Sequence, residues 1–152
     1  MDFADAPAAV RISIVDRVSA RTPRVLVVDE SLPIRRKLLE TLHRANIAAR
    51  HVTLTTNAEE ALEAFAKLHP TLVLCELVGE PDDGFAMIDE MLSIDPLAKI
   101  VLVTAEDPSS AIVRKAVRRG VFALVSKPLR DEKSRQALLD IEQEESAVVR
   151  IR

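Results

Sequence analysis

Residues 25–30 read Val25-Leu26-Val27-Val28-Asp29-Glu30, four apolar residues followed directly by two acids. Four more short runs, most of them nearly continuous in Val, Leu and Ile, recur farther along the chain. Strands that are covered on both faces of a parallel sheet have this apolar character. We therefore predict five strands: Val25 to Val28, Val52 to Thr55, Leu72 to Cys75, Ile100 to Val103 and Val121 to Val125.

The first two segments between these runs have the spacing of amphipathic helices. Ser31 can cap a first helix, and Asn57 with Glu60 matches a capping box at the start of a second. Apolar residues recur every fourth position in the first of them: Ile34, Leu38 and Leu42. Both segments are therefore predicted to pack one apolar face on the sheet.

Three further helices are predicted in the second half of the chain. The third starts at Gly84 or Phe85 and ends before Pro96, the fourth lies between Asp107-Pro108 and Gly120, and the fifth begins near Leu129. Their inward residues are expected to be Ile112 and Ala116 in the fourth helix, and Ala137, Leu138 and Ile141 in the fifth. Strands that alternate with helices in this way indicate an α/β fold, a doubly wound five-stranded parallel sheet with helices on both faces.

The composition of the chain indicates one globular domain and argues against several classes of protein. The 152 residues are a length typical of one domain, with 48% hydrophobic and 30% charged residues, a globular balance. A formal net charge of −3 argues against a nucleic-acid-binding surface, which is usually basic. The single cysteine, Cys75, lies in an apolar run, where a buried and unreactive thiol is expected. The first residues carry no export signal, and no apolar run approaches the roughly 18 residues of a membrane span, so we expect a cytoplasmic protein without membrane contact.

Both ends of the chain stand outside the alternating pattern. Residues 1–23 form an N-terminal extension in which Val10, Ile12 and Ile14 alternate with polar residues, and residues 146–152 form a tail that is also strand-like. The domain itself is predicted over residues 24–145. Two readings of the ends stay open: frayed segments, or an added ribbon that pairs within one molecule or between two.

Polar side chains follow four of the five predicted strands at the point where each strand ends. They are Asp29 and Glu30, Glu76, Thr104, and Lys127. In an open parallel sheet, ligands bind outside the carboxyl ends of the strands. We therefore expect these five side chains to converge on one small site.

The order and spacing of these pieces resemble the receiver domain of bacterial two-component response regulators. The resemblance covers about residues 24–141 and is carried by the segments 25–30, Leu72-Val73-Leu74-Cys75-Glu76-Leu77, Asp83-Gly84-Phe85, Val101-Leu102-Val103-Thr104-Ala105 and Gly120 to Pro128. It implies a flavodoxin-like sheet with strand order 2-1-3-4-5. It also implies roles: Asp29 and Glu30 as ligands of Mg²⁺, Thr104 as the signalling hydroxyl and Lys127 as the cation that pairs with a phosphoryl group.

The chain departs from the family at the residue that accepts the phosphoryl group. Glu76 stands where the family has an aspartate, eight residues before Gly84. Its additional methylene moves the carboxylate by more than about 1 Å, and displacements of that size can cost on the order of 100-fold in rate. A glutamate instead presents a permanent negative charge, which imitates the nearly two charges of a phosphoryl group only in part.

Two smaller departures concern the switch and the metal site. Leu124 replaces the aromatic residue that usually changes rotamer on phosphorylation, while Phe122 lies two residues too early and is expected on the same face of the strand. In the loop after Glu76, Pro81 comes one position later than usual, so Mg²⁺ binding is expected to be weak.

The leading hypothesis is a stand-alone atypical receiver, not an enzyme and with no catalytic residues, that binds another signalling protein without phosphorylation. The expected partner is a histidine kinase, a phosphotransfer protein or a second receiver. Two alternative functions stay open: a phosphorelay receiver that still accepts a phosphoryl group, and a homodimerising scaffold. Glu76 could also be a structural acid paired with Lys127, and Asp82 or Asp83 could accept phosphate in its place. Four basic residues lie near the end of the fourth predicted helix: Arg114, Lys115, Arg118 and Arg119. They either complement the negative end of the helix dipole or form a positive stripe that binds partners.

Overall fold

Five parallel strands form one sheet at the centre of the computed structural model, which describes residues 22–143. The strands are β1 (Val25–Val28), β2 (Val52–Thr55), β3 (Leu72–Cys75), β4 (Ile100–Thr104) and β5 (Ala123–Ser126). Their order is β2-β1-β3-β4-β5, with every neighbouring pair parallel. The predicted fold class and strand order are confirmed. The predicted terminal strands, around Val10 to Ile14 and after residue 146, lie outside the described residues.

Five helices connect or follow the strands. They are α1 (Leu32–Arg44), α2 (Ala58–Leu68), α3 (Pro81–Ile94), α4 (Ala111–Arg118) and α5 (Asp131–Gln143), with a 3₁₀ turn at Ala49–His51 before β2. No helix in the described part of the chain is both long and apolar enough to span a bilayer.

Two predicted helix caps are observed. The Ser31 hydroxyl accepts a hydrogen bond from the backbone N–H of Ile34 at 3.4 Å, and the Asn57 side chain accepts one from the N–H of Glu60 at 2.9 Å. Each cap satisfies a backbone donor that has no partner inside its helix. Local sequence therefore determines where α1 and α2 begin.

Helix α3 begins at Pro81, three residues before the predicted start. Proline is favoured in the first turn, because its ring presets a helical φ and it has no N–H to satisfy. The Asp83 carboxylate also accepts a hydrogen bond from the N–H of Glu80 at 3.3 Å, which stabilises this earlier start. Gly84 therefore lies inside the helix rather than at its beginning.

The last strand is shorter at its beginning than predicted. The N–H of Val121 donates to Ala116 O at 3.3 Å, which ties this residue to the end of α4. Strand β5 accordingly begins at Ala123 and extends one residue past the predicted end.

The core has two halves, one on each face of the sheet. Leu26 and Val28 face the half formed with α2, α3 and α4, whereas Val25 and Val27 face the half formed with α1 and α5. Successive strand residues point to opposite faces, so a strand buried on both sides must be apolar throughout. This geometry explains the continuous apolar run of residues 25–28.

Candidate functional site

Lys127 connects two acids that come from different strands. Its Nζ lies 2.9 Å from Asp29 Oδ2 and 3.3 Å from Glu76 Oε2. The three residues follow β5, β1 and β3, whose carboxyl ends meet at one edge of the sheet. The sheet therefore brings together charges that are far apart in the sequence.

Asp29 is the most deeply buried of these charges. The residue is 3% exposed, and its second carboxylate oxygen accepts a hydrogen bond from the N–H of Ser31 at 2.9 Å. Its own N–H donates to Thr55 O at 3.1 Å, which continues the pairing of β1 with β2. A carboxylate buried to this degree requires a partner, and Lys127 with the Ser31 amide supplies two.

Glu76 has both carboxylate oxygens engaged. One accepts a hydrogen bond from the N–H of Leu77 at 2.9 Å, and the other faces Lys127. Its N–H donates to Val28 O at 2.9 Å, which fixes the residue directly beyond the end of β3. The side chain is 24% exposed, so it lies at the mouth of the site.

Thr104 is the last residue of β4 and is 4% exposed. Its hydroxyl accepts a hydrogen bond from the N–H of Glu106 at 3.1 Å, and its carbonyl accepts one from the N–H of Lys127 at 2.8 Å. Thr104 and Glu76 also line the same cleft of about 390 Å³, whose rim includes Asp107 and Ile112. The threonine thus joins the loop after β4 to the loop after β5.

Glu30 is directed away from Lys127 toward the loop after β3. One of its carboxylate oxygens accepts a hydrogen bond from the N–H of Gly79 at 2.8 Å. Gly79 has a φ of 73°, a left-handed conformation that glycine adopts without strain. Glu30 therefore fastens a tight turn rather than joining the Asp29–Lys127–Glu76 group.

Arg35 is a member of the site that the sequence did not reveal. Its guanidinium donates to the backbone carbonyls of Asp29 at 2.8 Å and of Glu30 at 3.0 Å. These bonds hold the loop that carries both acids. An arginine in the first turn of a helix has no pattern that distinguishes it from an exposed charge, so only the loop conformation identifies it.

The acids do not form a preformed magnesium site. Within residues 22–143, no three Asp, Glu, His or Cys side chains are grouped so that they could hold one metal ion. Magnesium prefers octahedral oxygen ligands, and here the oxygens of Asp29 face an ammonium and an amide, while one oxygen of Glu30 faces Gly79. The side chains as arranged do not fit the metal that the sequence resemblance implies.

Leu124 and Phe122 pack on opposite faces of the sheet. Leu124 packs against the core half of α2, α3 and α4, whereas Phe122 is buried in the half of α1 and α5. The prediction that they share a face was wrong, because β5 begins only at Ala123 and strand alternation does not extend back to Phe122. The Phe122 ring instead lies 5.4 Å beneath the ammonium of Lys99.

Cys75 is fully buried beside Glu76. Burial, with smaller contributions from the charges of Glu76 and Asp29, raises the pKa of its thiol to about 12. The predicted burial of Cys75 is confirmed. A thiol with this pKa stays protonated at neutral pH, which agrees with the prediction that it is unreactive.

The two acids at the start of α3 have other partners. The Asp83 carboxylate accepts a hydrogen bond from Glu80, and Asp82 lies 3.8 Å from Lys115. Both are exposed, and neither pairs with Lys127.

The four basic residues of the α4 region divide into two pairs. Lys115 and Arg119 lie over the Phe85 ring at 4.7 and 5.1 Å, and Arg119 pairs with Asp89, so both bind α3. Arg114 and Arg118 are exposed and have no acidic partner in the part of the chain that the structure describes. This second pair is therefore exposed without an acidic partner among residues 22–143.

Comparison with known proteins agrees with the geometry. The model of the response regulator receiver domain family matches residues 25–139. The chain belongs to this family. Receiver domains act in two-component signal transduction, and most of them signal without being enzymes.

Two relatives match this receiver over nearly their whole length. Protein CcdB of Bacillus subtilis is 32% identical over 117 residues, which is 76% of this chain and 93% of that protein. The chemotaxis protein CheY of Thermotoga maritima is 30% identical over 115 residues, with the same coverage of both chains. Among solved structures, Vibrio cholerae CheY4 superposes with a TM-score of 0.68 at 22% identity, covering 79% of this chain and 98% of that one. The last comparison supports the fold alone.

Proposed function

We propose that this receiver signals by binding another protein without being phosphorylated, with Glu76 as a fixed negative charge at the acceptor position. The observation that supports this most directly is the 3.3 Å contact between Glu76 and Lys127. In the family, the lysine at this position pairs with the phosphoryl group. Here a carboxylate of the chain itself already occupies that role.

The surroundings of Glu76 oppose phosphoryl transfer. Transfer needs the attacking oxygen in line with the donor phosphorus, and a misplacement of about 1 Å can cost on the order of 100-fold in rate. Glu76 has one methylene more than aspartate, and its two oxygens already contact Leu77 N–H and Lys127. The carboxylate is retained, but both of its oxygens already have partners, and the additional methylene places them farther from the backbone than in aspartate.

The fixed charge resembles a phosphorylated site only in part. A phosphoryl group carries nearly two negative charges and three acceptor oxygens, whereas Glu76 carries one charge and two oxygens. The Thr104 hydroxyl, which contacts the phosphoryl group in the family, here accepts from the N–H of Glu106. We therefore propose one constant signalling state rather than a switch, consistent with Leu124 at the position of the usual aromatic.

Binding of Mg²⁺ would require Asp29 and Glu30 to rearrange. A divalent cation at Asp29 would be repelled by the Lys127 ammonium only 2.9 Å away. Glu30 would also have to release Gly79 to turn both oxygens toward it. We propose no step of the function that depends on the metal.

The partner is proposed to be a histidine kinase, a phosphotransfer protein or another receiver, met in the cytoplasm. The exposed and unpaired Arg114 and Arg118 favour an acidic surface on that partner. Opposite charges across an interface raise the association rate and discriminate among partners.

Intact mass spectrometry after incubation with acetyl phosphate and Mg²⁺ tests this proposal. The full chain is expected to show no stable phosphoryl adduct. An adduct that peptide mapping places on Glu76, and that disappears in Glu76→Gln, would contradict it. The same result would support the second candidate, a phosphorelay receiver, which the retained contacts of Asp29, Thr104 and Lys127 favour.

The homodimerising scaffold is tested separately by solution mass. The full chain and a variant that lacks residues 1–22 are compared by light scattering. If the full chain and the variant have the same number of subunits, the N-terminal segment does not cause dimerisation. A dimer that becomes a monomer on deletion supports it.

A further inference from the structure

A second cleft lies between the end of β5 and the start of α5. It has a volume of about 310 Å³, and its polar lining comes from Ser126, Lys127, Arg130, Lys133 and Ser134. Leu124 and Ala137 provide apolar lining. The charged residues that line the 390 Å³ cleft at Glu76 are all acids, whereas those that line this cleft are all basic.

Ser134 lines this cleft with a hydroxyl that has no partner among the described residues. The residue is 4% exposed, and its backbone N–H donates to Arg130 O at 2.7 Å, but its hydroxyl makes no hydrogen bond among the described residues. No fully enclosed side-chain polar atom in residues 22–143 lacks a partner, so this hydroxyl keeps some solvent-accessible surface, and the residue lines the cleft. A nearly buried hydroxyl without a protein partner is completed by water or by a ligand.

The charges around this hydroxyl favour an anion. Arg130 and Lys133 are exposed and have no acidic partner in the described part of the chain. Lys127 also lines the cleft, but its ammonium is engaged by Asp29 and Glu76. On the same helix, Glu132 is paired with Arg135 at 3.0 Å, so its charge is partly offset.

The start of α5 adds donors of its own. The first N–H groups of a helix have no partner inside it, and the helix dipole places partial positive charge there. Helix α5 has 13 residues, long enough for this field to develop. Helix N-termini of this kind bind phosphate groups, and basic side chains strengthen such binding through charge-assisted hydrogen bonds.

We propose that this cleft binds a dianionic phosphoryl group, either as inorganic phosphate or as the phosphate of a small monoester. Arg130 and Lys133 would neutralise its charge, and the Ser134 hydroxyl would donate to one of its oxygens. The volume is at the lower end of the roughly 300–1,000 Å³ of small-molecule sites, so there is room for a short carbon group against Leu124 and Ala137. This site is separate from Glu76 and does not depend on the function proposed there.

The proposal is tested by titrating the full chain with inorganic phosphate or phosphoserine and monitoring the amide signals by two-dimensional NMR. Saturable shifts are expected at Ser126 and at residues 130–134. Lys133→Gln is expected to weaken binding by about tenfold, which corresponds to about 1.4 kcal/mol. Ser134→Ala is expected to weaken it by a smaller factor. Lys133 is exposed, so its replacement leaves folding intact even if Ser134→Ala does not.

Arg114→Gln is the matched control, because it removes the same charge from α4. It is expected to leave the affinity unchanged. Tighter binding of phosphoserine than of inorganic phosphate would assign the site to a monoester, and equal binding would assign it to the free ion. The absence of saturable shifts, or equal weakening by Lys133→Gln and Arg114→Gln, would overturn the proposal.

Discussion

Lys127 is the residue on which the polar site depends. Its ammonium contacts Asp29 at 2.9 Å and Glu76 at 3.3 Å, and its side chain is 16% exposed. Removing one partner of a buried pair leaves the other charge without compensation, which is more costly than losing an exposed pair. The convergence of these residues could be predicted from the strand ends. Which carboxylate oxygen faces the lysine could not, because that depends on loop conformation.

Lys127→Met is expected to destabilise the fold by about 3 kcal/mol, because Asp29 is left buried without its cation. Urea unfolding of the full chain measures the change. The control is Lys67→Met, which removes an exposed partner of Glu63 at 2.9 Å and is expected to cost no more than about 1 kcal/mol. Equal losses in the two variants would contradict the account of Lys127 as a buried partner.

Cys75 provides a test of burial next to the site. Because the thiol is fully buried and its pKa is raised to about 12, it is protonated throughout the neutral range. Native protein is expected to resist alkylation by iodoacetamide at pH 8, and unfolded protein is expected to react completely. Rapid modification of the folded chain would show that the end of β3 opens to solvent.

At the scale of the element, local signals predicted the strands better than the start of α3. β1, β2 and β3 have the predicted bounds. β1 and β3 are short apolar runs closed by an acid, whereas β2 alternates Val and Leu with Thr. Helix α3 begins earlier than predicted because Pro81 and the Asp83–Glu80 hydrogen bond extend it toward the loop. The position of Phe122 could not be predicted, since it depends on where β5 begins.

Gly84 shows how closely α3 approaches the loop after β3. A Cβ at this position would lie 2.9 Å from the Cα of Leu77, too close for either backbone to remain in place. In an ordinary helix interior, replacing glycine with alanine stabilises by about 1 kcal/mol. Gly84→Ala is instead expected to destabilise by roughly 1–3 kcal/mol, because the helix must shift. Chemical denaturation decides the sign, and a stabilised variant would refute the close approach.

At the scale of the whole molecule, two clefts differ in the sign of the charges that line them. The acidic cleft lies at the ends of β3 and β4, whereas the basic cleft lies between β5 and α5. Lys127 lines the basic cleft, but its ammonium pairs with Asp29 and Glu76 of the other site. The strand order that produces this arrangement was predictable from the family resemblance. The basic cleft was not, because Arg130, Lys133 and Ser134 belong to no motif.

We propose that one methylene at position 76 separates this receiver from one that is phosphorylated. The most direct test compares the rate of phosphoryl incorporation from acetyl phosphate in the wild type and in Glu76→Asp, followed by intact mass. Glu76→Asp restores the shorter acceptor beside Asp29, Thr104 and Lys127. We predict that it is phosphorylated at least about 100-fold faster than the wild type. Equal rates in the two proteins, with the phosphoryl group on residue 76 in both, would contradict the account.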